Sequence, residues 1–154
     1  MEREYCLFYK NKNLNYGWIR EKRKNKLVIQ PALGKEFISS ATNLEYIWTG
    51  KEFSAEQDTV EYIKKKVAWI EQTFQNIDTE TIYELCDKDV VYSVKDLADD
   101  FLDNSGNGWS RVSLILALKN NRRLFKQKKN DFLARSEQEI AKIDEEENKK
   151  REHE

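Results

Sequence analysis

The sequence contains few of the residues that most often carry catalysis or bind metals. It has one histidine, His153, and two cysteines, Cys6 and Cys86, in 154 residues. A single histidine near the C-terminus excludes a histidine-based nucleophile or acid–base pair. Two widely separated cysteines form no zinc motif, and we expect both to be reduced and mostly buried. Without a glycine-rich phosphate loop either, the chain is not expected to be an enzyme as it stands.

Long hydrophobic runs are absent as well. No apolar stretch approaches the roughly 20 residues that a membrane-spanning helix needs. The N-terminus reads MEREYCLFYK and carries acidic residues where a signal peptide would carry basic ones. We therefore predict a cytoplasmic protein with no membrane partner.

Charged residues are plentiful but unevenly distributed along the chain. They make up 36% of the sequence, and the net charge is −1. Residues 137–154 carry eight acidic and four basic side chains, a net of −4, which leaves +3 on residues 1–136. Aromatic residues reach 12%, which argues against a disordered chain. The positive surface is therefore expected on the folded part.

The first 50 residues have the pattern of a small β-structure. Pro31, the only proline, can end a strand there without breaking a ladder. Polar turns separate five short runs that are rich in β-branched and aromatic residues, at about ten-residue spacing. This pattern predicts a five-stranded β-barrel over residues 1–50, with strands near residues 5–9, 16–20, 26–30, 36–39 and 44–48.

Helical periodicity follows the predicted barrel. Ser54 and Gln57 have the spacing of a capping box for a bridging helix within residues 51–77. Asp78 and Ser93 are predicted N-caps of two shorter helices. The first of these is expected to bury three residues on one side, namely Ile82, Leu85 and Cys86. After a turn at residues 103–108, the apolar segment 109–120 predicts a helix that is nearly enclosed.

A strongly basic β-hairpin completes the predicted fold. Its strands are residues 122–127 and 131–135, and a winged helix-turn-helix over residues 78–135 would have this order of helices and hairpin. Residues 136–154 predict a charged helix that frays, with only Ile140, Ala141 and Ile143 to bury. The whole chain is thus predicted to be α+β. The hairpin region carries five cations among eight positions: Arg122, Arg123, Lys126, Lys128 and Lys129.

Such clustering in a balanced chain favours a polyanion as the partner, and nucleic acid in particular. The alternative is that the lysines only protect an edge strand from aggregation. A second basic cluster lies at a predicted hairpin tip of the barrel, where a solvated turn is the alternative reading. This second cluster consists of Lys22, Arg23, Lys24 and Lys26.

The segment 114–135, which ends in LFKQKKNDFLAR, resembles the N-terminal region of ribonucleases of the ribonuclease II/R (RNB) family. The subgroup is the one found in cyanobacteria and plastids, whose members show an apolar helix, a polar turn and a Phe-Lys-Gln-Lys strand here. Residues 82–85 and 91–97 fit the two preceding helices, whereas residues 1–50 match only in pattern. The resemblance implies 3′-to-5′ hydrolysis of RNA in a separate catalytic domain that uses magnesium.

The aspartate cluster of that domain is missing from this sequence, so no catalytic residue and no cofactor can be carried over. The resemblance instead implies an RNA-binding or scaffolding role, with single-stranded RNA as the partner. The sequence leaves open whether the chain is freestanding or a part of a longer nuclease.

Two other functions stay open at this point. The chain could be an adaptor that docks on a catalytic domain or another protein through its apolar fourth helix and its barrel aromatics, Tyr16, Trp18, Tyr46 and Trp48. It could also be a winged-helix DNA regulator. The DNA regulator is disfavoured because the fourth helix could place few base-reading side chains in a DNA groove. Its polar residues are chiefly Ser110, Arg111, Ser113 and Lys119.

Overall fold

The computed structural model describes residues 2–103 and 107–152. Within them it contains five α-helices and two antiparallel sheets, so the predicted α+β class is confirmed. His153 and the middle of the predicted turn at 103–108 lie outside the described residues. Among the described helices, none is both long and apolar enough to cross a membrane.

The N-terminal sheet has five strands in the order β4-β3-β2-β1-β5. A 3₁₀ turn at Ala41–Asn43 connects the last two strands. Pro31 ends the third strand, as predicted. In the described part of the chain, β4 and β5 are each paired on one side only, so closure into a barrel stays a prediction. The strands are β1 (Glu2–Lys10), β2 (Asn13–Arg23), β3 (Lys26–Pro31), β4 (Phe37–Ser40) and β5 (Leu44–Lys51).

Strand β1 is buried on both of its faces. Tyr5 and Leu7 point toward a cluster shared with the helices, whereas Cys6 and Phe8 point the opposite way. The second group packs only against residues of the sheet itself, including Leu27 and Ile29 on β3 and, less deeply, Ile19, Phe37 and Leu44. Side chains of the sheet itself therefore exclude water from this face of β1.

Helix α1 (Glu56–Thr73) crosses from the sheet to the second half of the chain. The predicted capping box is wrong, because the helix begins after Ala55, which places Ser54 one position too early to cap it. Lys51 belongs to β5, and within the predicted segment 51–77 the helix itself begins at Glu56. Ile63 and Ile70 are its fully buried hydrophobic residues and face the sheet cluster.

The second half contains short helices and a three-stranded sheet in the order β6-β8-β7. Asp78 accepts a hydrogen bond from the Thr81 amide at 3.1 Å, and Ser93 accepts one from the Asp96 amide at 3.1 Å, so both predicted caps are confirmed. The elements are α2 (Thr79–Leu85), β6 (Val91–Ser93), α3 (Val94–Phe101), α4 (Gly108–Lys119), β7 (Phe125–Lys128), β8 (Asp131–Ala134) and α5 (Glu137–Glu152).

Three details differ from the sequence-based prediction. Leu85 is 69% exposed rather than buried, because Ile82 and Cys86 already fill the core side of α2. Ala141 is likewise exposed on α5, where Ile140 alone is buried. The first hairpin strand begins at residue 125 and not 122, since the amides of residues 124 and 125 bond back to the carbonyl of Asn121 and form a turn.

Helix α4 is nearly enclosed, as predicted, and it contributes to two separate cores. Trp109 and Val112 join the cluster between the N-terminal sheet and α1. Leu114, Ile115 and Leu118 join the cluster between α2, α3 and the hairpin. The two halves of the chain are therefore packed onto the same helix.

An aromatic cluster surrounds the beginning of α4. The Trp109 ring lies 5.0 Å from that of Trp48 and 5.2 Å from that of Tyr5, between ring centroids. Its Nε1 donates a hydrogen bond to the Tyr62 hydroxyl at 3.1 Å. Gly108 lies directly under the Trp48 side chain, and a Cβ atom there would stand only 2.3 to 2.5 Å from it. A glycine is thus required for this close approach.

Replacing Gly108 by alanine is expected to destabilise the protein by about 1 to 3 kcal/mol through overpacking. Helix propensity alone predicts the opposite, a gain of up to about 1 kcal/mol. The free energy of unfolding in urea, followed by tryptophan fluorescence, therefore distinguishes the two by its sign. An unchanged or higher stability of Gly108→Ala would contradict the described packing.

Candidate nucleic-acid interface

The hairpin presents its lysines on one edge and at the tip. Along β7, Phe125 is buried and Gln127 is half-buried, whereas Lys126 and Lys128 are exposed and share the other face. Lys129 stands at the tip in the left-handed region, with φ of 57°. Its carbonyl accepts a hydrogen bond from Gln127 Nε2 at 2.8 Å. Three of the predicted cations are therefore exposed together on the hairpin.

A cleft of about 240 Å³ separates this hairpin from the end of α4. We call it the hairpin cleft. Its apolar floor includes Phe125 and Phe132. Four cationic side chains line it, which is more than the hairpin strands alone supply: Lys119, Arg122, Lys126 and Arg135.

Two of these four cations are already paired with carboxylates. Lys119 bonds to Glu45 at 2.7 Å, and Arg135 bonds to Glu139 one turn along α5. The Arg135 Nε atom also donates to the Arg122 carbonyl at 2.9 Å. Among the described residues, no acidic side chain pairs with Arg122 or Lys126, so these two are available to an external anion.

Glu45 fixes the cleft against the N-terminal sheet. Its carboxylate accepts from Lys119 and also from Gln127 Nε2 at 2.6 Å, so one β5 side chain holds both α4 and β7. Burial lowers the pKa of Lys119, but its hydrogen bonds to Glu45 and Tyr9 outweigh burial, and the pKa is raised overall. Lys119 therefore stays charged, and its role is to position the hairpin.

Arg123 is engaged by the C-terminal helix. Its Nε and Nη2 atoms bond to the two carboxylate oxygens of Asp144 at 2.8 and 2.9 Å. These hydrogen bonds raise the pKa of Arg123 and lower that of Asp144. Both side chains are largely exposed, so the pair can open, but in this arrangement α5 neutralises one predicted contact residue.

The second predicted cluster lies in a different electrostatic setting. Lys22 pairs with Glu4, and Arg23 lies 3.4 Å from Glu21, whereas Lys24 and Lys26 are exposed. Lys22 also lines a groove of about 560 Å³ that five glutamates and three basic residues surround, a net of −2. Phosphate would be repelled from this groove.

The structure does not bring the two clusters together. The two ends of strand β2 lie near different clusters. Asn13, at its start, pairs with Lys10. The neighbouring Tyr9 ring lies 5.2 Å from the Lys119 ammonium in the hairpin cleft. The opposite end of β2 is Arg23, ten residues further on and thus roughly 33 Å away. The hairpin and the loop are separate surfaces.

Helix α4 offers little to a DNA groove. Ser110 and Ser113 are buried, and the Ser113 hydroxyl donates to the Ser110 carbonyl at 2.6 Å. Lys119 is held by Glu45. The aromatic residues of the N-terminal sheet are similarly internal, since Trp18 and Trp48 are buried and Tyr16 and Tyr46 pack partly into the cores.

Sequence reasoning missed one residue of the hairpin cleft and one exposed aromatic residue elsewhere. Arg135 lines the hairpin cleft, and its position a few residues after the basic run is the signal that could have found it. Trp69 on α1 is 40% exposed, and its position outside the apolar stripe through Ile63 and Ile70 is the signal that could have found it.

The remaining reactive groups are unfavourably placed for chemistry. Burial raises the pKa of Cys6 to about 12, and it raises that of Cys86 as well, so neither thiol ionises readily near neutral pH. In the part of the chain that the structure describes, no three or more histidine, cysteine or carboxylate side chains gather to hold a metal ion.

Comparison with known proteins found no family model, no curated protein and no solved structure that matches this chain. The resemblance to the front of an RNB nuclease therefore stays a prediction. The candidate site rests on its own geometry.

Replacing Glu45 by alanine should destabilise the protein by about 1 to 3 kcal/mol, because it leaves the Lys119 ammonium and the Gln127 amide without their shared acceptor. The matched control is Glu52→Ala, which removes an equal charge. Glu52 is more exposed than Glu45 and lies 3.9 Å from its partner, Arg3. It should change the stability by less than about 0.5 kcal/mol. Equal effects in chemical denaturation would show that Glu45 is not a fixing point.

Proposed function

We propose that this chain is a non-catalytic RNA-binding module that holds the phosphates of single-stranded RNA at the hairpin. The observation that carries the proposal is the convergence of unpaired cations there. Arg122 and Lys126 line the cleft, and Lys128 and Lys129 continue the positive surface to the tip. None of the four has an acidic partner among the described residues.

The order of elements supports a winged helix with this hairpin as its wing. Helix, strand, two helices and two strands follow one another as α2, β6, α3, α4, β7 and β8, and β8 is central in the small sheet. The N-terminal sheet similarly supports a small barrel, because one face of β1 is covered by side chains of the sheet itself. Both features agree with the proposed relation to the N-terminal domains of a cytoplasmic 3′-to-5′ exoribonuclease, whose magnesium would bind in a separate catalytic domain.

The site supports binding by charge and not by sequence. Lysine and arginine contacts to phosphate give affinity that is independent of base identity and falls as salt rises. A duplex-reading function has less support, because the serines of α4 that would face a groove are buried. A protein adaptor has less support too, because α4 and the tryptophans on the barrel strands are covered by the chain itself.

Replacing Lys126, Lys128 and Lys129 by glutamate should abolish RNA retention in a low-salt filter assay. The melting temperature should not fall, since all three side chains are exposed. Where residual binding can be titrated, the loss of three phosphate contacts should also make the negative slope of log affinity against log salt shallower by about 2.

The matched control is the triple variant Lys22→Glu, Lys24→Glu, Lys26→Glu, which makes the same change of charge at the other end of β2. It should retain most of the RNA binding. Equal losses of RNA binding in the two triple variants would show that binding depends on the net charge of the protein and not on the hairpin. Full retention by the hairpin variant would refute the proposed function.

Replacing Asp144 by asparagine should release Arg123 and strengthen RNA binding by roughly twofold to fivefold. The control is Glu145→Gln on the same helix, whose carboxylate pairs with Lys149 at 3.7 Å and not with the hairpin region. Titration of labelled RNA by fluorescence anisotropy measures both. A similar gain in the two variants would mean that Arg123 takes no part in binding.

A further inference from the structure

We infer that α1 carries a second nucleotide-binding site, in which a base of single-stranded nucleic acid stacks on Trp69 and its phosphate lies between Lys65 and Lys66. The inference rests on the proposed function and extends it to a surface outside the hairpin. The site is a cavity of about 290 Å³, which we call the Trp69 pocket. Its lining residues are Tyr62, Lys65, Lys66, Trp69 and Asn107.

Trp69 differs from every other tryptophan of the chain in its exposure. Its side chain is 40% exposed, whereas those of Trp18, Trp48 and Trp109 are 1%, 4% and 2% exposed. The buried three build the cores. A large aromatic ring that is open to solvent at the wall of a cavity is available for stacking, and every base has a face that can stack on it.

The helical spacing assembles the pocket from one short segment. Tyr62, Lys66 and Trp69 stand at intervals of four and three residues, so they form one stripe along α1 beside the buried stripe. Tyr62 is held in place by the Trp109 hydrogen bond at 3.1 Å. The wall on the other side is Asn107, the N-cap of α4, whose Oδ1 accepts from the Trp109 amide at 2.9 Å.

The charge of the pocket is positive. Within the described residues, Lys65 and Lys66 have no carboxylate partner, and the Lys66 ammonium lies 5.6 Å from the centre of the Tyr62 ring. The beginning of the twelve-residue helix α4 adds partial positive charge at Asn107. The neighbouring Lys64 is paired with Glu61 at 3.8 Å and does not line the cavity.

An exposed aromatic ring beside two lysines without carboxylate partners provides for both interactions that single-stranded nucleic acids offer, a base face and a phosphate. The volume fits a single base better than a larger ligand, since cavities for drug-sized molecules begin at about 300 Å³. These features favour one nucleotide of a single strand as the ligand of the Trp69 pocket.

All four tryptophans emit, but the other three are buried, so changes in quenching by acrylamide report on Trp69. Titrating the full chain with an oligoadenylate of about 12 nucleotides should quench the tryptophan emission and reduce the quenching by acrylamide. Trp69→Phe should remove both signals. Trp69→Ala should weaken the binding of the labelled oligonucleotide, measured by anisotropy, by about tenfold.

Lys65→Glu is expected to weaken binding several-fold, whereas Lys64→Glu, an equal change of charge one residue earlier, should leave it nearly unchanged. Adenosine monophosphate at millimolar concentration should still quench Trp69 in the Lys126, Lys128, Lys129 glutamate variant. That measurement tests the pocket independently of the hairpin.

Binding of RNA by anisotropy with no change at Trp69, and with Trp69→Ala equal to the unmodified protein, would overturn the Trp69 pocket and leave the hairpin proposal intact. The ring would then be assigned to a protein partner. Loss of RNA binding in the hairpin variant with persistent quenching by the mononucleotide would support both sites. Absence of any RNA binding by the unmodified chain would refute the proposed function, and absence of mononucleotide quenching would refute the pocket.

Discussion

The burial of α4 between two cores is the constraint on which the rest of the structure depends. Its first half completes the aromatic cluster at the N-terminal sheet, and its second half completes the cluster beneath the hairpin. Only a tight turn separates its end from β7, so the position of the helix sets the position of the hairpin. Glu45 adds a polar connection between the same parts. The basic hairpin is therefore anchored directly in the core that α4 shares with it.

Local signals in the sequence were sufficient to predict much of the fold. Each of the five runs of β-branched and aromatic residues became a strand, and Asp78 and Ser93 cap helices because their effect depends only on amides three residues away. Strand β6 was missed since three residues leave no periodicity to detect. The capping box predicted at Ser54 was wrong, because the first residue of α1 depends on the path of the chain after β5 as well as on local spacing.

The candidate site was less predictable, because charge pairing joins residues that are distant in sequence. Lys119 and Glu45 are 74 positions apart, and Arg123 and Asp144 are 21 apart. A count of cations along the chain cannot tell which ones a remote carboxylate will neutralise. The two basic runs looked alike in sequence, yet one of them lies beside a groove of glutamates and the other beside a positive cleft.

The tip of the hairpin has a consequence for how this module could be engineered. Lys129 holds a left-handed backbone that costs an ordinary residue roughly 1 to 2 kcal/mol and costs glycine almost nothing. A glycine there would stabilise the turn but would remove a charge from the surface that we propose binds RNA. The stability of the turn thus favours glycine at position 129, whereas the proposed binding of a polyanion favours lysine. Such a trade-off is common at functional sites.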